Sequence, residues 1–516
     1  MEIIRQISAL TALSGAALVG GELISYLNKN KLKDKLANGK LIGKEDIENL
    51  LGKDGIQLAK DIQLKEKQDF EGSVTFGSTG AGKSTGFFIP NLLSNNIKGS
   101  IVVTDPKGEL FELTSRYQSE VCGRKVLRFA PLEPLYSEKY NLLTACKDTS
   151  EVLELASNLL FNGSLSIELA TGKKTGGVEW IQMAEPLISA ALIYVKDMEY
   201  PYNTIDFAFK LLITLSTNEL NSLFIESNNQ ECIDQWNIFL TVGGADRTEG
   251  SIKITLATNM KLFTDTKINK VSSETTFSIE EMRKEPTILY ICYPENKSSY
   301  ISPFTAPFFS RMLNTFVNIY SRKSLPIHIL ADEFANIGMI SNMGTHASTM
   351  RSRKISLNAC LQSITQLQQI YGVNNAKAIL NNLKTKMIYP SLSDEETLSY
   401  ISKLCGEKEI EVCSRSENKN GSSKSYSKTR TRMFSESDLR CLNDDELLIV
   451  LSNKMPILGE QNTYYKDKKY TDNIKEPIGL EKHYSGSFNL RDKILDMKVK
   501  VIEQEDILDV KDDLFQ

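Results

Sequence analysis

The residues best suited to chemistry form a glycine-rich stretch that follows a short apolar run, Ser73–Phe76. Its spacing, G-x-x-x-x-G-K-S, is the pattern of a phosphate-binding loop between a strand and a helix. Such a loop turns tightly at its glycines and aims backbone N–H groups at phosphate. Lys83 would then reach the β- and γ-phosphates of ATP, and the Ser84 hydroxyl would be a ligand of Mg²⁺. The predicted nucleotide-binding residues are Gly77, Ser78, Thr79, Gly80, Ala81, Gly82, Lys83, Ser84 and Thr85.

A pair of carboxylates ends a second apolar run, Leu325–Ala331. Asp332 would hold Mg²⁺ through water together with Ser84, and Glu333 would orient and deprotonate the attacking water as a general base. The alternative is a buried strand that ends in a solvated acidic turn, which is common for Asp-Glu alone. Because the chain also carries the matching loop, we favour the catalytic interpretation. For the loop itself, the alternative is a glycine-rich turn that matches the pattern by chance.

Three more polar residues flank a third apolar run, Ile355–Leu361. Gln362, at its end, is placed to sense the γ-phosphate or the water and to link hydrolysis to movement, although an ordinary helix-terminal glutamine fits nearly as well. Arg351 and Arg353 precede the run. In ring-shaped ATPases such arginines reach the phosphate of the neighbouring subunit and stabilise the transition-state charge. Taken as an isolated cluster, these arginines are better explained as a solvated basic face.

These groups can meet only if the apolar runs lie side by side in one sheet. Strand-like runs alternate with helical patterns, which favours a parallel α/β sheet. Because chemistry is expected at the carboxyl ends of parallel strands, the loop and the carboxylates should converge at one edge. The predicted strands are Ser73–Phe76, Ser100–Asp105, Lys125–Phe129, Thr287–Tyr293, Leu325–Ala331, Ile355–Cys360, Lys386–Pro390 and Glu446–Leu451. The predicted helices are a short or kinked one around Pro90, Leu110–Tyr117, Tyr300–Ser321, Gln362–Tyr371 and Glu395–Leu404.

The middle of the chain, residues 151–260, has a different pattern. It contains no clear strand runs, and helical periodicity dominates, as in Val178–Val195 and Thr204–Leu215. Fourteen Asp and Glu residues against six Lys and Arg residues give it a net charge of −8. We therefore predict an inserted all-α domain whose acidic surface suits a protein partner better than DNA. On charge alone, a solvated helical face without a partner fits at least as well.

The composition is that of an ordinary globular protein, with 516 residues, 41% of them hydrophobic and 24% charged. The net charge of −4 argues against a protein that coats nucleic acid over its whole surface, so any such contact would be local. The eight cysteines are scattered and include no C-x-x-C pair. We expect them to be reduced core residues rather than a disulfide framework or a zinc site.

Three segments outside the sheet have a distinctive composition. Ile7–Leu27 carries a single charge and is long enough for a membrane span, and the lysines that follow it favour a cytoplasmic location for the rest of the chain. A signal peptide and a buried or surface helix are the alternatives. Arg415–Arg432 is rich in serine, carries six basic residues and one acid, and is predicted to be a DNA-facing loop, with a disordered segment that binds no ligand as the alternative. The segment after Lys466 is predicted to be a polar, mobile tail with an acidic end.

Longer motifs surround these residues. They are Gly77–Thr85, V-V-T-D-P-K-G-E at 102–109, P-L-E-P at 131–134 with Y-N-L-L at 140–143, L-A-D-E-F-A-N-I-G at 330–338, L-Q-S-I-T-Q-L at 361–367, and Asp394 with Ser399–Gly406. Together they resemble the type IV secretion coupling proteins of the TraG/TraD type, the membrane-anchored ATPases of conjugation systems. The likeness spans about residues 70–455. T-D-P-K-G-E beside D-E-F-A is its most specific part.

The resemblance implies an α/β fold, namely a RecA-like P-loop NTPase domain with an inserted all-α domain and an N-terminal membrane helix. It further implies a homo-hexameric ring at the inner face of the cytoplasmic membrane. The family recruits relaxase-bound DNA, or protein substrates, and feeds them to a type IV secretion channel. Its all-α domain recognises substrate, which would give the acidic surface a use in binding the relaxase. The family usually has two N-terminal spans, whereas one candidate is visible here.

We therefore predict an ATPase that binds Mg-ATP and drives DNA, bound as a single strand without sequence preference, through a conjugation channel. An FtsK/HerA-like DNA translocase acting inside the cell and a non-hydrolysing nucleotide-binding scaffold are the alternatives. The predicted divisions are a membrane anchor (1–30), a linker with edge strands (31–70), the nucleotide-binding domain in two parts (71–150 and 261–465), the all-α domain (151–260) and the C-terminal tail (466–516).

Overall fold

The computed structural model describes residues 44–173, 177–244, 246–418, 421–484, 486 and 489–498. The predicted membrane helix, Ile7–Leu27, lies outside the described residues. The strands are β1 (Gln57–Ala59), β2 (Ile62–Gln63), β3 (Ser73–Phe76), β4 (Ser100–Asp105), β5 (Lys125–Phe129), β6 (Thr287–Cys292), β7 (Ile327–Ala331), β8 (Ile355–Leu361), β9 (Thr385–Ile388), β10 (Glu407–Asn418), β11 (Gly421–Arg432), β12 (Glu446–Leu451) and β13 (Ile457–Glu460).

A nine-stranded sheet with the order β13-β12-β9-β3-β8-β7-β4-β6-β5 forms the centre of the molecule. The strands from β9 through to β5 run parallel, whereas β12 and β13 add an antiparallel edge. Every residue of β3, β4, β6, β7, β8 and β9 is buried. This is expected of a parallel sheet that is covered on both faces, and it explains why these strands are recognisable as continuous apolar runs.

The helices lie on both faces of this sheet. They are α1 (Glu66–Asp69), α2 (Ile89–Leu92), α3 (Glu109–Glu120), α4 (Thr149–Thr171), α5 (Val178–Lys196), α6 (Ile205–Thr214), α7 (Thr217–Glu226), α8 (Gln230–Gly243), α9 (Asp246–Asn259), α10 (Thr266–Val271), α11 (Ser298–Asn318), α12 (Met343–Thr349), α13 (Ile364–Asn382), α14 (Glu395–Cys405), α15 (Glu436–Arg440) and α16 (Lys468–Thr471). Residues 490–498 are also helical. Single 3₁₀ turns include Phe334–Ile337 and Met350–Arg353.

The eight predicted strands are all present, and their ends differ from the prediction by at most two residues. The predicted helices around Val178–Val195 and Thr204–Leu215 are confirmed by α5 and α6. The prediction missed β13, because its sequence, I-L-G-E, has only two apolar residues and ends in a glycine and a charge. The strands expected at the edge of the main sheet before residue 70 instead form a separate pair, β1 with β2.

Between β5 and β6, the described residues form the helices α4–α10 and contain no strand. The first of these, α4, packs along α11, where the Arg311 guanidinium lies 2.5 Å from the Glu151 carboxylate. The core of these helices is continuous with the core on one face of the sheet. Among the described residues, α5 alone is long and apolar enough to cross a membrane, but more than half of it is buried against its neighbours, as in a core helix.

The prediction of a loop at Arg415–Arg432 is wrong, because the described residues of this segment belong to a long antiparallel hairpin formed by β10 and β11. Charged, polar and turn-forming residues are mixed in this segment, and their alternation is too weak to predict strands. Along one face of the hairpin, Glu407, Glu409 and Glu411 stand opposite Arg432, Arg430 and Lys428. Cross-strand pairs of opposite charge favour this register.

The beginning of the predicted mobile tail is packed against the sheet domain. Tyr470 in α16 is buried, and its hydroxyl donates to Gln57 Oε1 at 3.1 Å. Arg116 Nε on α3 donates to the Glu476 carbonyl at 2.6 Å. The prediction of a mobile tail is therefore wrong for this part, and the acidic end of the chain, Glu503–Asp513, lies outside the described residues.

Candidate nucleotide site

The phosphate-binding loop leaves β3 at the carboxyl edge of the sheet, where the chain enters a short helical run. This run starts with a π-helical turn, Ser84–Phe88, and continues as α2 to Leu92. Pro90 lies inside this run, where it has no N–H to donate, and the run ends soon after it at Leu92. The short helix predicted from Pro90 is thus confirmed. The N-terminal N–H groups of the run face the loop, which is the arrangement that binds phosphate.

Lys83 lies inside the loop rather than in solvent. It is buried, and its Nζ donates to the carbonyls of Gly77 and Ser78 at 2.6 and 3.0 Å. The same Nζ lies 3.7 Å from Glu333 Oε1. An ammonium group held by the loop's own carbonyls is already at the position where it can meet a bound phosphate.

Asp332 follows β7 at the same edge and lies next to the loop. The Ser84 hydroxyl donates to Asp332 Oδ2 at 3.1 Å, and the Thr104 hydroxyl donates to the Asp332 carbonyl at 2.7 Å. Burial raises the pKa of Asp332 to about 6, Glu333 adds to the rise, and Lys83 opposes it. A hydroxyl and a carboxylate in contact are the hard oxygen ligands that Mg²⁺ takes, so this pair fits the ion.

Glu333 has an unusual backbone conformation, with a φ of 54°. Non-glycine residues in the left-handed region are uncommon and cluster at functional sites. Gln362 Nε2, at the end of β8, donates to Glu333 Oε1 at 3.1 Å. The structure therefore brings Gln362 to the carboxylate predicted to be the general base, because β7 and β8 are parallel neighbours.

Arg351 and Arg353 lie at the other edge of the sheet. Both are on the turn that precedes β8, whose seven residues separate them from Gln362 by about 23 Å at 3.3 Å per residue. Arg351 pairs with Glu71 at 3.0 Å, and Arg353 stacks over the Tyr320 ring. These arginines do not meet the other predicted site residues within this chain.

A cleft of about 870 Å³ contains the loop and both carboxylates. At the Asp332 end it is also lined by Pro106, Lys107, Glu109 and Glu295, which follow β4 and β6. At the opposite end, beyond β9 and β12, it is lined by Pro390, Ser391, Asp444, Asp445, Gln461, Thr463, Tyr465 and Lys466. Phosphate therefore fits at the loop, and the end beyond β9 is left for the rest of a nucleotide.

Most of these extra lining residues were missed by the sequence analysis, and for different reasons. Lys107 belongs to T-D-P-K-G-E, whose first two residues end a predicted strand, so its position at the edge was a usable signal. A tight turn places it there, because Asp105 Oδ2 accepts from the Phe111 N–H at 2.8 Å. Burial raises the pKa of Asp105 to about 6, and four backbone N–H groups oppose the rise. Residues 461–466 carried no comparable signal, because β13 was not recognised.

A parallel sheet whose strands end in a phosphate-binding loop, a carboxylate pair and a glutamine defines a P-loop NTPase of the RecA-like class. Within this class, residues 28–487 match the family described as type IV secretory system conjugative DNA transfer. The chain belongs to this family, which confirms the resemblance inferred from its motifs.

Two curated relatives illustrate the similarity. The protein VirD4 of Agrobacterium fabrum is 26% identical over 430 residues, which cover 77% of this chain and 59% of the relative. The conjugal transfer protein TraG of Escherichia coli is 23% identical over 364 residues, which cover 64% of this chain and 54% of the relative. The chain thus spans less than two thirds of the length of these relatives.

Solved structures with the same fold include the bacterial conjugative coupling protein TrwB without its first 70 residues, in an unbound form. Its TM-score is 0.63 at 15% identity, and the match covers 81% of this chain and 91% of that one. The plasmid coupling protein TrwB in complex with ADP and Mg²⁺ has the same TM-score at 14% identity, covering 82% and 93%. This likeness supports the RecA-like fold.

Proposed function

We propose that the protein is a membrane-anchored coupling ATPase that recruits relaxase-bound DNA, or a protein substrate, and drives its transfer through a type IV secretion channel. The observation that carries the proposal is the meeting of Lys83, Ser84, Asp332 and Glu333 in one cleft, with Gln362 bonded to the Glu333 carboxylate. Because the chain belongs to a conjugative DNA transfer family, we assign it a role in transport.

In the proposed reaction, the loop Gly77–Thr85 binds the phosphates of ATP through its backbone N–H groups, and Lys83 contacts the β- and γ-phosphates. Ser84 and Asp332 would hold Mg²⁺, which supplies charge neutralisation on the phosphates. Glu333 accepts the proton of the attacking water, and Gln362, bonded to its Oε1, orients that carboxylate. The loop carbonyls that now accept from Lys83 keep its side chain in place until phosphate binds.

The proposal includes a homo-hexameric ring in which Arg351 or Arg353 completes the site of a neighbouring subunit. The distance along β8 excludes a role for these arginines at the nucleotide of their own chain. Arg351 is exposed and its only described ion pair is with Glu71, so its charge is available at the surface. A guanidinium supplied from outside would stabilise the charge on the transferred phosphoryl group.

Residues 151–260 are proposed to be an inserted all-α domain that binds the relaxase or another processing protein. Their net charge of −8 disfavours direct contact with DNA. DNA is instead proposed to contact the β10–β11 hairpin. The opposed glutamates partly balance Lys428, Arg430 and Arg432, so this contact would be weak and sensitive to salt.

The proposed membrane anchor is Ile7–Leu27, and it rests on sequence alone. Its length and the lysines that follow it favour an inner-membrane location with the rest of the chain in the cytoplasm. Extraction of membranes from expressing cells tests this point: the full chain should need detergent, whereas a chain that starts at residue 44 should not. A full chain released by salt alone would favour an FtsK/HerA-like translocase.

The deciding experiment is an ATPase assay, with and without single-stranded DNA, on the wild type and on Glu333→Gln. We expect measurable wild-type hydrolysis and a loss of about 10²–10³-fold in the variant, with nucleotide affinity retained. Equal rates near zero in both proteins would contradict the enzyme and favour a scaffold that only binds nucleotide. A mating assay with Lys83→Ala tests the transport role, because unchanged DNA transfer would contradict it.

A further inference from the structure

The segment Gly338–Asn342 begins five residues after Glu333. Side chains of helix α4 hold it through hydrogen bonds. The side chain of Asn162 makes two hydrogen bonds to the backbone of one residue in this segment. Its Oδ1 accepts from the Met339 N–H at 2.8 Å, and its Nδ2 donates to the Met339 carbonyl at 3.1 Å. One helical turn earlier, Asn158 Oδ1 accepts from the Ser341 hydroxyl. This segment is therefore hydrogen-bonded to α4 at two successive turns.

The approach of α4 to the segment is too close for any side chain at Gly338. A Cβ at this position would lie 2.9 Å from Asn162 Oδ1 and 3.0 Å from Ser302 Cβ, and φ is +99°. An adjacent face of α4 is tighter still, because a Cβ at Gly163 would lie 2.2 Å from the Asn259 carbonyl oxygen at the end of α9. One turn of α4 is thus fixed between the helices of residues 151–260 and the segment that follows the catalytic carboxylates.

From this segment, packed side chains lead back to Glu333. The Tyr371 hydroxyl on α13 donates to the Gly338 carbonyl at 3.3 Å and accepts from the Ile340 N–H at 3.2 Å. The Tyr371 ring stacks on Phe334, with centroids 6.2 Å apart and planes 9° apart. Phe334 directly follows Glu333, whose left-handed backbone must be held by its surroundings.

Asn162 is fully buried, although an apolar residue would pack there without needing hydrogen-bond partners. A buried amide with both of its polar ends paired fixes one orientation of the groups it joins. Leucine has nearly the same shape but would leave the Met339 N–H and carbonyl free to shift. The chemistry at this position is therefore suited to setting geometry rather than to filling space.

We propose that Asn162 is a positioning residue for Glu333, and that α4 is the element through which docking of a partner on residues 151–260 changes the rate of ATP hydrolysis. This inference rests on the proposed ATPase activity. A displacement of α4 moves Met339, and the stacked pair Phe334 and Tyr371 carries that movement to the general base. Nucleotide binding is left intact, because none of these contacts involves the loop Gly77–Thr85.

The test compares Asn162→Leu with Asn314→Leu in the full chain. Asn314 also bonds α4 to α11, through Glu154, but among the described residues it has no hydrogen bond to residues 334–341, so it is the matched control. For Asn162→Leu we expect kcat to fall about tenfold while the Kd for ADP and for ATPγS stays within about twofold. Amide hydrogen exchange at residues 334–341 should rise in this variant. For Asn314→Leu, kcat and exchange should match the wild type.

Equal kcat and equal exchange in Asn162→Leu and the wild type would overturn the inference, as would the same loss of kcat in both variants. If Asn162→Leu fails to fold, Tyr371→Phe replaces it, because that change removes the two hydroxyl bonds and keeps the ring stack. Unchanged kcat and exchange in Tyr371→Phe would then overturn the inference. An inactive wild type would overturn the proposed ATPase instead, and exchange at residues 334–341 would still report on Asn162.

Discussion

The strands β3, β7 and β8 carry polar groups at both of their ends, and the two edges of the sheet use them differently. At the carboxyl edge, Lys83, Asp332 and Glu333 open into the cleft, and Gln362 bonds to Glu333. Towards the amino edge, the polar groups bond to one another and to α1: the Ser356 hydroxyl donates to Asp69 Oδ1 of α1 at 2.6 Å, and the Ser73 hydroxyl donates to Asn358 Oδ1 on β8 at 2.7 Å.

The polar groups at the amino edge stabilise the fold, whereas those at the carboxyl edge are available to bind a ligand. Asp69, His328, Ser356 and Asn358 are almost completely buried, and His328 Nδ1 lies 2.9 Å from Asp69 Oδ2. Buried polar groups normally satisfy one another, because an unpaired one costs free energy. A group that is partly open to a cleft keeps capacity to bind, so the carboxyl edge is the functional edge. Four changes test this division.

The largest effect is expected from Lys83→Ala at the carboxyl edge. Removing the ammonium that meets the phosphates should lower ATP hydrolysis by about 10³-fold, or about 4 kcal/mol in the barrier, in a steady-state phosphate-release assay. The midpoint of thermal unfolding should change little. Lys98→Ala, an exposed lysine just before β4 at the other edge, is the control and should keep full activity. More than a tenth of the wild-type rate in Lys83→Ala would contradict the assignment.

Asp69→Ala at the amino edge should have the opposite profile. Loss of this carboxylate removes one of the two acceptors of the buried Ser356 hydroxyl and the carboxylate beside His328 Nδ1, so we expect the free energy of unfolding to fall by about 3 kcal/mol in urea titrations. In the protein that stays folded, the Kd for ADP should remain within about threefold. Asp61→Ala, an exposed carboxylate close by, is the control. A folded variant that loses nucleotide binding would break the division between the edges.

Asp105 refines this comparison. It is a buried carboxylate at the carboxyl edge, but its role is to hold the turn after β4 rather than to bind a ligand. Burial raises its pKa from 3.8 to about 6, so the folded state binds this proton more tightly than the unfolded state. The ionised Asp105 carboxylate therefore lowers the free energy of unfolding above pH 6, and this loss of stability disappears as the pH falls towards 4. We expect the stability of the wild type relative to Asp105→Asn to rise by up to about 3 kcal/mol between pH 7 and pH 4. Parallel stability curves for the two proteins would contradict this.

The smallest effect on stability is expected from Arg351→Ala. Its exposed pair with Glu71 should contribute less than about 1 kcal/mol, which chemical unfolding of the isolated protein can measure. If the arginine acts on a neighbouring subunit, hydrolysis in the assembled ring should fall while the Kd for ADP stays constant. Full hydrolysis in an assembled Arg351→Ala ring would exclude that role for this residue and leave Arg353 to be tested in the same way.

The sequence predicted the sheet and half of the site because both depend on local patterns. Strands buried on both faces are continuous apolar runs; Asp332 and Gln362 each follow such a run directly, and Lys83 follows one at the end of the glycine-rich loop. Parallel strands bring such residues to one edge without further information. The hairpin β10–β11 has no apolar run, and most of its described side chains are exposed, so its strands were taken for a loop.

What the sequence alone determined, then, is the order of the strands along the chain, the class of site and the chemistry of its phosphate end. The tertiary structure decided which distant segments complete the cleft, as with Gln461 and Tyr465 opposite the loop. It also placed Arg351 and Arg353 at the far edge and Asn162 against Met339. These contacts join residues far apart in the chain, and no local pattern encodes them, because packing of helices and strands alone sets which surfaces meet.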